Sequence, residues 1–403
     1  LDLTLSTVAD QVAIAPGDLV EQRVEDDRAI FRYVTSTPIV DLVPVLSGRW
    51  AVARDRWQGI DIEVLHHPDH AFNIDRFLEV TKHSLAYMTD RFGPYPHDQL
   101  RIVEVPSYHD KVAFSFAQVI AYSESWAFTA DLDGAELDWL AAVLSHEVAH
   151  QWWNHQLVPA DVQGATWIAE SLPQYAAMKI LESMDGPESV HRFLRFHLDR
   201  YLARRGHERI AEQPLSLVEN QAYIHYSKAS LSLYELDRRV GRDTVDRALR
   251  AFFDEFAFAG PPYPTSDDLL AHLREAIPSS EHDLIEDLFE TITLFDHRLV
   301  DATAAAQPDG TFLVTLDTAS AKWRDDGHGH LTEVPLDDSV DLGIFGEIDG
   351  DETLLWHDSR HLQSPSGRFT IAVDQRPTRA GIDPFHLQVD RSAADNIRPI
   401  THR

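Results

Sequence analysis

The chain has 403 residues, and its 35 Lys and Arg against 66 Asp and Glu leave a formal net charge of −31. That length predicts two or three domains with real cores and excludes a peptide or a lone small module, while the negative field repels nucleic acid and anionic lipid head groups, so no nucleic-acid partner is expected. With no Cys at all, disulfides, thiolate catalysis and sulfur-based zinc sites are excluded, so any metal must sit on His and carboxylates. The apolar fraction of 44% marks a chain that folds.

No apolar run is long enough to cross a bilayer, and Leu1 to Ser6 carries neither an initiator Met nor a leader pattern. The sequence therefore reads as a piece of a longer protein. Residues 1 to about 62 read as strands, with β-rich stretches Ala29 to Val34 and Ile39 to Val43 between turns at Pro16-Gly17, Pro38 and Ser47-Gly48. From about 70 the period becomes helical. A helix is predicted over Ile74 to Phe92, stopping at Gly93-Pro94, and one short strand follows at Leu100 to Val105. Further helices are expected at about 135 to 155, 169 to 185, 188 to 205, 227 to 240, 243 to 257, 266 to 276 and 281 to 292, several ended by Gly. After Asp296 the period returns to two, as in Phe312 to Leu316 and Phe369 to Val373, which suggests a β-sandwich.

The 135 to 155 helix carries Leu137, Leu140, Ala141, Leu144 and Val148 on one stripe, and His146-Glu147-Val148-Ala149-His150 lies on it. Two His four apart on a helix sit one turn above the other on one side, so both imidazoles can grip one ion. Glu147 then points beside that ion, able to act on water. A catalytic zinc held by two His needs one more protein ligand and an open position. Glu170 is the candidate, because Ala165 to Ala177 starts a second helix after a loop long enough to turn the chain back, with Pro173 expected in its first turn.

His146-Glu-Val-Ala-His-Gln-Trp-Trp153, Glu170-Ser-Leu-Pro-Gln-Tyr175 and Tyr223-Ile-His-Tyr-Ser-Lys228 together resemble the M1 family of zinc metallopeptidases, the gluzincin aminopeptidases. The loop Asn154 to Ala165 is most similar to the peptidase region of bacterial ABC-transporter permeases fused to an M1-type aminopeptidase. The resemblance covers essentially the whole chain. It implies a multidomain α+β architecture: a partial N-terminal β region over 1–62, a thermolysin-like, mainly helical zinc peptidase domain over 63–296, and a β-sandwich over 297–403. It further implies one Zn2+ held by His146, His150 and Glu170, Glu147 as the general base that takes a proton from zinc-bound water, and Tyr226 as hydrogen-bond donor to the oxyanion of the tetrahedral intermediate. The expected partner is a peptide substrate, with the domain tethered to a membrane-transporter portion absent from this sequence.

Three departures from the family pattern stand out. The stretch between His150 and Glu170 is one residue longer than usual, as in the membrane-fused subgroup. The Gly expected after Lys228 is Ala229. Ser115, in Val112-Ala-Phe-Ser-Phe116, stands where the family's exopeptidase motif places the Glu that binds the substrate amine, and a neutral hydroxyl cannot pair with an ammonium as a carboxylate does. The substrate backbone would still extend a strand near Ala117 to Tyr122.

Other features read as structural. His66-His67-Pro-Asp-His70 and His328-Gly-His330 read as solvated turns, His155 and His225 as packing or supporting groups, and Trp152, Trp153 and Trp167 as helix packing. Glu147→Gln tests the leading function, a zinc peptidase. The alternatives are a non-catalytic peptide-binding module attached to a transporter, and an endopeptidase or non-peptide zinc hydrolase using the same residues.

Overall fold

The computed structural model describes residues 1–109, 113–132 and 136–403; Val112 and Ala135, each at an edge of a segment read above, lie outside the described residues. In chain order the elements are β1 (Asp2–Val8), β2 (Val12–Ile14), β3 (Asp18–Glu25), β4 (Arg28–Val34), β5 (Leu46–Gly48), β6 (Ala51–Trp57), β7 (Ile60–His66), α1 (Ile74–Phe92), β8 (Gln99–Val105), β9 (Ala113–Phe116), β10 (Val119–Ser123), α2 (Trp139–Ala149), α3 (Leu172–Asp185), α4 (Pro187–Arg205), α5 (Ala229–Val240), α6 (Arg242–Phe256), α7 (Ser266–Ala276), α8 (His282–Ile285), and then β11 (Ile292–Ala306), β12 (Phe312–Asp325), β13 (Leu331–Val334), β14 (Asp338–Ile348), β15 (Asp351–Leu362), β16 (Ser366–Val373), β17 (Pro377–Ile382), β18 (Ile397–Pro399) and β19 (Thr401–His402). The result is a mixed α/β chain with strands first and sheets last. Among the described residues, no helix is long and apolar enough to cross a membrane.

Two compact units emerge, one of residues 1–193 and 242–278, the other of 194–241 and 279–403. In the first, β1, β4 and β3 form an antiparallel sheet, β2 pairs with β5, and a mixed sheet runs β6-β7-β8-β10-β9. β8 is buried along nearly its whole length, because it lies between parallel neighbours β7 and β10. Ile14, Leu65, Val103 and Val119 form one core cluster on this sheet. The stripe Phe77, Val80, Leu85 and Met88 of α1 is fully buried, and Gly93 ends that helix at φ 99, a left-handed position that glycine takes without a Cβ clash. Gly17 (φ 106) fastens the N-terminal strands to the mixed sheet: its carbonyl accepts from Gln99 at 3.1 Å and Arg101 at 3.0 Å, and a Cβ there would lie 2.8 Å from the Val34 backbone.

In the second unit, the sheet of β13, β12, β11 and β19, with β16 also on β12, and the sheet β15-β14-β17-β18 share one core. Leu299, Val314, Leu316 and Ile371 come from the first sheet, and Val340, Leu342, Ile344 and Ile382 from the second.

Several sequence expectations shift. Ile39 to Val43 is not a strand: Pro38 and Pro44 bracket it, and proline lacks the N–H a ladder needs. The helix expected over 135 to 155 is shorter, ending at Ala149 with turns beyond, and Asn154 at φ 91 reverses the chain. The single short strand before it is accompanied by β9 and β10, joined through Gln118 at φ 68, a left-handed turn that no glycine announces. The 281 to 292 helix is short α8 and a π-helical turn, Glu286–Glu290, after which β11 begins.

Candidate metal centre

Helix α2 is fixed at its start by Asp138. Its carboxylate accepts the Ala141 N–H at 2.8 Å as an N-cap and pairs with Arg76 of α1 at 2.9 Å. Arg76 also reaches Asp185 at the end of α3, 3.1 Å away, so one guanidinium ties three helices together. Beyond α2, Trp152 donates to the Gly93 carbonyl at 3.0 Å, and the Trp153 ring lies edge-on to Phe92 and Phe253. The last turn of α2 is thereby held at both ends.

On that turn His146 and His150 sit one above the other, with Nε2 atoms 3.0 Å apart and ring centres 4.6 Å apart. Glu170 lies in the π-helical turn Trp167–Ser171 that leads into α3, and Pro173 occupies the first turn of α3. A π-helical turn is wide, a geometry that recurs at functional sites. Glu170 Oε2 lies 3.4 Å from His146 Nε2 and 3.6 Å from His150 Nε2. One donor atom from each of the three residues lies within 4.8 Å of the others.

The electrostatics suit a cation. Burial alone would raise the Glu170 carboxyl, but the adjacent His146 and His150 rings outweigh it and hold the group well below the ordinary carboxylate range. For His150, burial favours the neutral ring, while Glu170, Glu147 and the Trp153 carbonyl raise its pKa overall. With a divalent ion in place of the imidazole protons, two ring nitrogens and a carboxylate oxygen would turn their lone pairs to one point, and the nitrogen and oxygen set fits such an ion. Glu147 is 6% exposed, and burial pushes its carboxyl up, with the two imidazoles acting against the shift.

Ser115 is committed elsewhere. Its hydroxyl donates to the Glu147 carbonyl at 2.8 Å and accepts from Gln151 Nε2 at 2.7 Å. Gln151 also donates to the Phe116 carbonyl at 2.9 Å and accepts the Gln118 N–H at 2.9 Å, and His155 contacts the Ser115 carbonyl at 3.1 Å. Sequence reasoning missed Gln151, which lies in the turn just past the end of α2 and four residues after Glu147. Burial lowers His155 to about 4, so it stays neutral in this supporting role.

The expectation that a substrate strand lies along Ala117 to Tyr122 is corrected. β10 has β8 on one side and β9 on the other, so its ladder is full, and β9 forms the end of the sheet.

Tyr226 belongs to the second unit, in the π-helical turn Tyr223–Lys228 ahead of α5. Glu212 is the buried anchor beneath that turn. It accepts from Tyr201 and from Arg205 at 3.0 Å, and Lys228 Nζ lies 3.9 Å away. Burial lowers Lys228 to about 8. His225 Nδ1 contacts the Glu219 carbonyl at 3.2 Å, and His330 remains an exposed turn residue on Asp326.

The His66 to His70 stretch is more than a solvated turn. His70 Nδ1 lies 2.5 Å from buried Glu104, and Glu124 completes a second group with donor atoms within 4.8 Å. Glu104 also accepts the His67 N–H at 2.5 Å, so it fastens the β7–α1 connection onto β8. Neither Glu carried a sequence signal, because each is distant from His70 along the chain.

His146, His150 and Glu170 thus form a candidate metal-binding group beside a mixed sheet, the kind of site a metallopeptidase needs. Residues 76–291, just over half of the chain, match the Peptidase family M1 domain. The chain therefore belongs to peptidase family M1. It is similar to Aminopeptidase N of Streptomyces lividans, 23% identical over 230 residues, covering 54% of this chain and 26% of the relative. It is also similar to Aminopeptidase M1-A of Oryza sativa subsp. japonica, 23% identical over 286 residues, covering 68% of this chain and 32% of that one. The crystal structure of Legionella pneumophila aminopeptidase A in complex with aspartic acid shares the fold, with a TM-score of 0.60 at 14% identity over 97% of this chain and 43% of that one. The chain spans about a quarter to a third of the length of the curated relatives it matches.

Proposed function

We propose that this chain is a zinc-dependent peptidase of aminopeptidase type. The observation that carries the reading is the convergence of His146, His150 and Glu170 beside buried Glu147. Zinc is the ion of choice for a donor set of two imidazoles and one carboxylate without sulfur. When bound, it supplies Lewis acidity to the scissile carbonyl and lowers the pKa of water.

The protein groups do the rest. Glu147, with its carboxyl raised by burial, accepts the proton of the attacking water and hands it to the departing amine. Tyr226, assigned by resemblance, donates its phenol hydrogen to the oxyanion as charge develops. Among the described strands β9 lies at the end of its sheet, and an extended peptide adding there would continue the ladder. We assign the chemistry to a thermolysin-like domain over 63–296, between the 1–62 β region and a 297–403 sandwich. A tether to a transporter portion rests on the Asn154 to Ala165 loop alone.

Ser115 favours a second mode. Its hydroxyl is already bonded on both sides, so it contributes nothing to an ammonium, and peptides with blocked N-termini are acceptable substrates on this ground. The test incubates the zinc-loaded protein with free and acetylated peptides and identifies products by mass spectrometry. Single-residue trimming of free-amine peptides supports the aminopeptidase; internal cuts in acetylated ones support the endopeptidase; peptide binding without turnover in both sets would leave a non-catalytic binding module.

A further inference from the structure

His70, Glu104 and Glu124 lie in the first compact unit and take no part in the chemistry proposed above. They come from three neighbouring places in the mixed sheet. β7 and β10 run parallel to β8 on either side of it, so the connection after β7, the end of β8 and the residue after β10 emerge at one edge of the sheet. His70 belongs to the first, Glu104 to the second and Glu124 to the third. The carboxyl ends of parallel strands are where open sheets hold their ligands, because successive connections diverge there. A separate contact fixes the same approach: Asn73, just before α1, donates to the Ala127 and Ala130 carbonyls at 2.6 and 2.9 Å.

Both carboxylates are oriented by backbone. Glu104 is 5% exposed; one of its oxygens accepts the His67 N–H at 2.5 Å and the other lies 2.5 Å from His70 Nδ1. Glu124 Oε1 accepts the Ser107 N–H at 2.8 Å. That bond and the Ser107 hydroxyl outweigh burial and keep the Glu124 carboxyl below its ordinary range, with His70 and His67 adding to the effect. Ligands held in this way by outer hydrogen bonds need little reorganisation to meet an ion. One donor atom from each of the three residues lies within 4.8 Å of the others.

Among the described residues, no Lys or Arg pairs with either carboxylate, and His70 is the cationic partner of Glu104. A protonated imidazole balances one of the two negative charges. A divalent ion in place of the His70 proton balances both and leaves the ring neutral. One imidazole nitrogen with two carboxylate oxygens suits an oxygen-tolerant transition ion such as manganese, whereas calcium asks for a fuller shell of oxygens.

We propose that His70, Glu104 and Glu124 form a second divalent-cation site, which clips the β7–α1 connection to the ends of β8 and β10. The site shares no residue with the His146, His150 and Glu170 group, and the inference does not depend on peptidase activity.

The test loads the full chain with one equivalent of zinc, which the two-imidazole group takes in preference, and then titrates it with manganese, reading free Mn2+ by electron paramagnetic resonance. The expected result is one manganese ion bound per chain. Glu124→Gln and His70→Gln each weaken that binding by about tenfold or more. Manganese also raises the melting temperature of the zinc-loaded wild type and leaves that of Glu124→Gln unchanged. His146→Ala, titrated with manganese alone, still binds one ion, so the second site is read even if the zinc assignment of the first group fails. No manganese uptake by the wild type overturns the proposal. So does uptake that both variants retain, which is what general attraction to a chain of net charge −31 would give. Should His70→Gln fail to fold, Glu124→Gln, altered at a partly exposed position, decides alone.

Discussion

The hydroxyl of Ser115 bonds the carbonyl oxygen of Glu147 at 2.8 Å, joining the edge strand of the sheet to the helix that carries the proposed base. Gln151 closes the same link from the turn that follows α2, with its amide on Ser115 Oγ and the Phe116 carbonyl. The strand proposed to hold the peptide and the residue proposed to activate water are therefore set at a fixed distance by two side chains.

Ser115→Ala removes a donor from the Glu147 carbonyl and an acceptor from Gln151. The expected cost is about 1–2 kcal/mol of stability, read by urea unfolding, with a larger loss in kcat/KM than that figure alone implies. A variant with wild-type stability and activity would dissolve the link.

Glu147→Gln keeps the shape of the side chain and removes its basicity. Metal content measured by elemental analysis stays at one ion per chain, while turnover falls by roughly 10²–10⁴-fold. Loss of metal together with activity would instead make Glu147 a determinant of the ion's binding.

Chelation should remove activity and lower the melting temperature, because an ion that binds only the folded state stabilises it by mass action. Zinc restores both in the wild type. In Glu170→Gln the restoration requires more zinc, since a carboxamide is a weaker ligand; equal zinc dependence would remove Glu170 from the ligand set.

Asp383 makes the second unit sensitive to pH. Burial raises its carboxyl to about 8, with the Leu387 and Gln388 N–H groups opposing the shift. The folded state thus keeps a proton that the unfolded chain releases near pH 4, and stability falls as pH rises toward 8. Buried His197 and His297, lowered to about 3 and 4, act in the opposite sense only below their ordinary pKa of 6.5. Between pH 6.5 and 8 the wild type should lose roughly 1–2 kcal/mol that Asp383→Asn does not, measured by urea unfolding at both pH values. Parallel curves for the two proteins would contradict the assignment.

Asp138→Ala deletes the N-cap of α2 and one partner of Arg76. A loss of about 1–2 kcal/mol is expected in thermal or urea unfolding, from the cap and the partly buried pair together. A neutral effect would mean that the aromatic packing of Trp153 alone holds the helix.

Periodicity is local, and what it governs was readable from the chain. The bounds of α1, the helical face that stacks His146 on His150, the placement of Pro173 in the first turn of α3 and the return to alternation after Asp296 all depend on neighbours within a turn or two. The absence of Cys ligands follows from composition alone. The filled edges of β10, the engagement of Ser115, the gathering of His70 with Glu104 and Glu124, and the placing of Arg200 over the Tyr226 ring were decided by the tertiary structure. Each depends on a hydrogen bond or charge contact between residues far apart in sequence, and no local spacing encodes which of the chain's many acids and amides will arrive there.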